Sequence, residues 1–242
     1  MSNAAIFLCA GSGTRMRGQV DDKVLTPLAG KPTIIHSLDA FRESGIVESI
    51  VFAYRDEEQR DQIQQALDQA DTTGLQFFWV EGGKERQDSV FNALLELSLL
   101  VEYVFIHDCA RPLVRPEVLR ELYQAVMEDK AAVLAHRVAD TIKKASGTKR
   151  TRRGRMLKDV PRASLWAMET PQAFERELIT DAYRRLRFDG VSVTDDTAAV
   201  TRQDHGVTLV ENLYPNPKLT VPADLPYLEF LLTQKNQETI KV

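Results

Sequence analysis

Ala5-Ile6-Phe7-Leu8-Cys9-Ala10-Gly11-Ser12-Gly13-Thr14-Arg15-Met16 opens as an apolar run and closes as a loop of small residues ending near a cation. Four apolar residues without a polar break suit a strand buried on both faces, as in the middle of a parallel sheet. The glycines that follow let successive backbone N–H groups close on an anion, and Arg15 adds a guanidinium able to hold phosphate oxygens in pairs. The stretch therefore reads as a strand ending in an anion cradle. It is not a P-loop, because no Gly-Lys-Ser/Thr follows, and Met16 stands where a dinucleotide fingerprint wants its third glycine. On these residues alone, a plain strand-to-helix turn is an equal reading.

Outward from this stretch, similar short runs recur at Ser49-Ile50-Val51-Phe52, Phe77-Phe78-Trp79-Val80, Tyr103-Val104-Phe105-Ile106 and Ala131-Ala132-Val133-Leu134. Between them, Ile63, Ala66, Leu67 and Ala70 repeat at helical spacing, as do Val90, Ala93, Leu94 and Leu97, and Leu119, Leu122, Tyr123 and Val126. Leu178, Ala182 and Leu186 resume that period later, and Pro32 and Pro116 suit the first turn of a helix. Alternating strands and helices predict an α/β fold, a Rossmann-like three-layer α/β/α arrangement with a mainly parallel sheet. Ligands are expected beyond the carboxyl ends of its strands. Residues 139–166 break the rhythm with a Ser146-Gly147 turn and alternating flanks, which predicts a protruding β-arm.

With 242 residues, of which 43% are hydrophobic, the chain suits one core, and residues 1–242 are read as a single domain. A net charge of -4 gives no general attraction to nucleic acid or anionic membrane, so an anionic ligand must be held locally. No apolar run is long enough for a membrane span or a signal h-region. Cys9 and Cys109 lack metal-ligand spacing and are too few for a disulfide scaffold. They are expected to be buried packing residues in a cytoplasmic protein. His107 is likewise expected to pack within its strand, since no second histidine has metal spacing.

Lys23 and the string that follows it through Pro32 complete a pattern that resembles the signature of sugar- and polyol-phosphate nucleotidyltransferases. Within that superfamily nearly the whole chain resembles the 2-C-methyl-D-erythritol 4-phosphate cytidylyltransferases. The matching segments are Gly82-Gly83-Lys84-Glu85-Arg86-Gln87-Asp88-Ser89-Val90, His107-Asp108-Cys109-Ala110-Arg111-Pro112, Asp140-Thr141-Ile142-Lys143, Arg162, Thr170-Pro171-Gln172, Thr194-Asp195-Asp196 and Asn216-Pro217-Lys218-Leu219-Thr220, in that order. The resemblance implies that Ala10, Gly11, Gly13, Gly83 and Ser89 bind the nucleotide, and that Arg15, Lys23 and Lys218 act on the triphosphate. It also implies that Asp108, Thr141, Arg162 and Thr194 hold a polyol phosphate. Departures are Lys84 where an acidic residue is expected, Cys109 for a small residue, and one extra residue between Arg15 and Lys23.

Several of these groups have a structural reading too. Asp108 could pair with Arg111, although an aspartate ending a buried strand sits where sheet ligands bind. Thr170-Pro171 could be a turn, and Thr194-Asp195-Asp196 a helix cap.

The implied reaction joins CTP to 2-C-methyl-D-erythritol 4-phosphate with Mg²⁺ (or Mn²⁺). It needs no catalytic base, because a phosphate monoester with a second pKa of about 6 is already largely a dianion near pH 7. The resemblance further implies a homodimer through the 139–166 arm, with Thr141 and Arg162 over the other subunit's site. Two alternatives remain at this point: a ribitol 5-phosphate cytidylyltransferase, and a nucleic-acid-binding protein using Lys149, Arg150, Arg152, Arg153 and Arg155. The absence of interleaved aromatics argues against the second.

Overall fold

In the computed structural model, which describes residues 2–11, 22–145 and 156–240, β1 (Ser2–Leu8) sends alternate side chains to two faces. Ala5 and Phe7 join one apolar cluster, and Ala4 and Ile6 the other. A short ribbon, β2 (Pro27–Leu28) and β3 (Lys31–Pro32), leads into α1 (Thr33–Ser44). Strands and helices then alternate through β4 (Ser49–Tyr54), α2 (Glu57–Leu67), β5 (Gln76–Glu81), α3 (Arg86–Glu96), β6 (Val101–Asp108), α4 (Pro116–Asp129) and β7 (Ala131–Arg137). After the arm strands β8 (Lys143–Ala145) and β9 (Leu157–Asp159) come β10 (Trp166–Glu175), α5 (Arg176–Asp189), α6 (Asp196–Thr201), β11 (Thr208–Glu211) and α7 (Asp224–Ile240).

The central sheet has seven strands in the order β11-β7-β10-β6-β1-β4-β5. All run parallel except β10, which is antiparallel to both β6 and β7. Ile34, Leu38 and Phe41 of α1, Ile63 of α2 and Leu122 of α4 cover one face, with Phe7, Phe52 and Phe105 beneath them. Val90 and Leu94 of α3, Ile179 and Tyr183 of α5 and Val200 of α6 cover the other. Burying each such side chain contributes about 1.5–3 kcal/mol. A third cluster, Leu28, Ala110, Leu113, Leu219, Leu228 and Leu232, seats α7 against the carboxyl-end loops.

This is the α/β architecture that the strand–helix alternation predicts, with differences that have local causes. Pro32 is not in the first turn of α1 but directly before it, because β3 still pairs with β2 there. α2 ends at Leu67, and Ala70 packs on the core from beyond the helix. Thr170-Pro171 is no loop turn: it lies inside β10, where pairing with β7 shifts register between Met168 and Gln172. A proline has no N–H for the ladder, and such an interruption accommodates it. The predicted arm is a short β8–β9 ribbon paired only within itself among the described strands, and its second boundary already belongs to β10.

Candidate active site

The chain runs from β1 outward through β4 and β5, then returns to place β6 on the other side of β1. That reversal is a topological switch point, where loops diverge and leave a crevice beyond the carboxyl ends. A cavity of about 280 Å³ opens there, lined by Ala10, Gly11, Lys23, Gly83, Arg86, Ser89, Asp108 and Lys218 among others. Of the expected site residues, Ala10, Gly11, Lys23, Gly83, Ser89, Asp108 and Lys218 are thus gathered in one place. Gly13 and Arg15 lie outside the described residues, as does the basic cluster Lys149, Arg150, Arg152, Arg153 and Arg155. Thr141, Arg162 and Thr194 are exposed and do not line this cavity. Arg162 Nη1 instead donates to the Ala139 carbonyl at 2.8 Å across the base of the arm.

Two loops form one wall of the cavity. A Cβ at Gly83 would stand 2.2 Å from the Cβ of Asp88, and one at Gly82 would stand 2.4 Å from that of Ala10, so neither position admits a side chain without movement. The Gly83 N–H donates to Ser89 Oγ at 3.0 Å, and Asp88 accepts from the Glu85 N–H at 3.1 Å, which closes the turn into α3. Lys23 reaches the β1 loop: a Cβ at Gly11 would be 3.2 Å from its Nζ.

Asp108 forms the other wall. It terminates β6, its N–H donates to Thr170 Oγ1 at 3.0 Å, and its carboxylate accepts from Arg86 Nε at 3.3 Å and from Lys218 Nζ. Burial works against its charge, but Arg86 and Lys218 outweigh that and hold the carboxyl well below the usual range. Arg111 is not its ion-pair partner. The Arg111 N–H donates to the Asp108 carbonyl at 2.9 Å, while its guanidinium donates to the Asn216 carbonyl at 2.6 Å. His107 is fully buried beside Ser37 and Thr170, and burial lowers its pKa to about 3, so it is neutral and packed, as expected. Cys9 and Cys109 are buried free thiols, also as expected.

Three side chains matter more than their sequence context suggests. Arg86 makes paired bonds to Asp196 at 2.9 and 2.7 Å and so links α3 to α6 beneath Asp108. Asp196 is fully buried and also accepts from the Tyr183 hydroxyl at 2.5 Å. Its neighbour Asp195 caps α6 through the Ala198 N–H, so the adjacent acids divide two tasks. Glu169, buried in β10, accepts from Asn212 and Asn216 at 2.9 Å each and from His136 at 2.6 Å. Together with the Leu219 N–H bond to the Ala110 carbonyl at 2.7 Å, this fixes the loop that delivers Lys218.

The family model for IspD, 2-C-methyl-D-erythritol 4-phosphate cytidylyltransferase, matches residues 3–234. Proteins named 2-C-methyl-D-erythritol 4-phosphate cytidylyltransferase are similar to the chain throughout. The one from Caldanaerobacter subterraneus is 37% identical over 239 residues, covering 96% of this chain and 99% of the relative. That from Geobacillus kaustophilus is 38% identical over 238 residues, covering 98% and 100%. Among solved structures, the 4-diphosphocytidyl-2C-methyl-D-erythritol synthase of Anaerococcus prevotii superposes with a TM-score of 0.81 at 26% identity, with 96% of each chain covered. The Thermus thermophilus 2-C-methyl-D-erythritol 4-phosphate cytidylyltransferase gives 0.75 at 27%, covering 96% of this chain and 98% of its own.

Proposed function

The chain belongs to the 2-C-methyl-D-erythritol 4-phosphate cytidylyltransferase family, and from that membership we propose how the cavity between β1, β5 and β6 carries out the transfer. The reaction moves a cytidylyl group from CTP to 2-C-methyl-D-erythritol 4-phosphate in isoprenoid synthesis. A phosphate oxygen of the acceptor bonds to the α-phosphorus of CTP, the α–β bridge breaks, and pyrophosphate leaves. The acceptor is already largely a dianion near pH 7, so no side chain has to remove a proton. What the protein supplies is position and positive charge. The observation that carries this reading is the convergence of Lys23, Arg86 and Lys218 on one crevice with Asp108 between two of them.

Lys23 and the β1 loop, with Arg15, hold the triphosphate in this reading, and Gly83 and Ser89 hold the base. Lys218 faces the transferring phosphate. Asp108, with lone pairs left over from Arg86 and Lys218, accepts hydrogen bonds from acceptor hydroxyls. Among the described residues no group of three or more His, Cys, Asp or Glu side chains could hold a metal ion. Mg²⁺ (or Mn²⁺) would enter with CTP as part of the substrate, as suits an ion that keeps its waters and favours phosphate oxygens. The metal would supply neutralising charge to the triphosphate.

The test is a substrate panel scored by pyrophosphate release. CTP with 2-C-methyl-D-erythritol 4-phosphate should react, excess chelator should abolish the rate, and ribitol 5-phosphate and UTP should be poor substitutes. Cytosine offers a donor amino group to a backbone carbonyl of the Gly83 segment, where uracil offers an acceptor. Comparable kcat/KM for CTP and UTP would remove the base assignment, and equal rates with the two polyol phosphates would remove the acceptor assignment.

The arm completes the partner's site in a homodimer. Support comes from Thr141 and Arg162, which stand away from their own chain's cavity, and from Ile142, Met156 and Leu157, which the arm exposes to solvent. Coexpressed Lys23→Ala and Arg162→Ala chains should then form mixed dimers with one intact site, restoring up to about half of wild-type activity per mixed dimer. Inactive mixed dimers, or a monomer by light scattering, would overturn the shared site.

A further inference from the structure

Cys9 to Gly11 and Asp22 to Val24, the two stems that flank residues 12–21, are tied together by a side chain that does not line the cavity. Gln59, in the first turn of α2, is fully buried. Its Nε2 donates to the Cys9 carbonyl at 3.1 Å and to Asp22 Oδ2 at 2.5 Å, and its Oε1 accepts from the Arg55 N–H at 2.7 Å. Asp22 in turn accepts from the Val24 N–H and from Arg55 Nη1, each at 2.9 Å. Both N–H groups of the amide are thus used, one on each stem.

A glutamine at this position is unusual on packing grounds. It stands four residues before Ile63 on the same helix face, where an apolar side chain would bury without desolvating an amide. Its neighbours Glu57, Glu58, Asp61 and Gln62 are exposed, so the sequence around it reads as a solvated face. We infer that Gln59 is a positioning residue for CTP: it clamps the stems so that the Ala10–Gly11 backbone and Lys23 face the triphosphate at a fixed separation. This rests on the reading that those groups hold the triphosphate.

Gln59→Met keeps the length and burial of the side chain and removes all three bonds. In the full-length enzyme the KM for CTP should rise about tenfold or more, the scale of a small misplacement of binding groups, while the KM for the polyol phosphate moves less than about twofold. Asp22→Asn, which sets a donor against the Gln59 amide, should shift the same constant in the same direction, and it decides the matter if Gln59→Met does not fold. On a Lys23→Ala background, Gln59→Met should cost less than on wild type, as residues that share one task are not additive. A folded Gln59→Met enzyme with an unaltered KM for CTP overturns the inference, as does an equal rise in both KM values. Wild-type kinetics from Lys23→Ala would overturn the triphosphate reading and the inference with it, whereas a defective Lys23→Ala beside an unaltered Gln59→Met overturns the inference alone.

Discussion

Lys23→Ala should lower kcat by about 10²–10³-fold with the fold intact, the scale of losing one preorganised donor aimed at developing charge. The fold should survive because the segment is anchored by Lys23's neighbours: Asp22 and Thr26 carry the turn through hydrogen bonds at 2.7–2.9 Å, and Val24 is fully buried. Lys23 itself is half-buried, with its amine turned toward the β1 loop. Single-turnover measurement separates the chemical step from product release, and circular dichroism with thermal melting checks the fold. Lys23→Arg should recover part of the rate, since it returns the charge without the compact ammonium. An unchanged kcat in Lys23→Ala would remove this lysine from the mechanism.

What the sequence made legible is what local periodicity carries. Buried strands announce themselves as unbroken apolar runs, and crossover helices by their 3.6-residue stripe, so the parallel part of the sheet and its two helix layers follow from short windows. β10 escapes that logic. Its residues, Trp166 to Glu175, include Glu169, Thr170, Pro171 and Gln172, which read as turn or site, yet the strand pairs antiparallel between β6 and β7 in the sheet centre. Only contacts with residues about 30 to 70 positions away define it, and no local pattern encodes them.

The site shows the same division. Loops whose backbone packs closely at the cavity are visible in sequence because glycine and small residues are required there, as the clashes awaiting a Cβ at Gly82 and Gly83 make concrete. The groups that hold those loops are not visible. Gln59 lies in a polar helical stretch, Glu169 two residues before a proline, and Asp196 behind an aspartate that does cap a helix. Each is polar and buried, and burial is a property of the fold. One cue was available: a second acid directly after a helix cap needs its own partner if the helix packs, and Arg86 already stood in a motif without a role.

Arg86→Met should have the largest effect on stability. The guanidinium lies between two carboxylates, bound in a fork to fully buried Asp196 and through Nε to Asp108. Burial works against its charge, yet the two carboxylates outweigh that and raise its pKa well above the ordinary value. Removing it leaves Asp196 with the Tyr183 hydroxyl and no cation, and breaking a buried pair from one side costs about 3–5 kcal/mol. For a chain of this size that lowers Tm by about 6–20 °C. Asp196→Asn placed on top of Arg86→Met takes away the uncompensated charge, so it should recover much of the lost Tm. It should not recover kcat, because Asp108 still lacks the cation that helps to keep it ionised and oriented. That split between stability and rate distinguishes a guanidinium serving two carboxylates from one that merely pins α3 to α6. Melting of Arg86→Met within about 2 °C of wild type, less than one kcal/mol for this size, would show that Asp196 finds its compensation elsewhere.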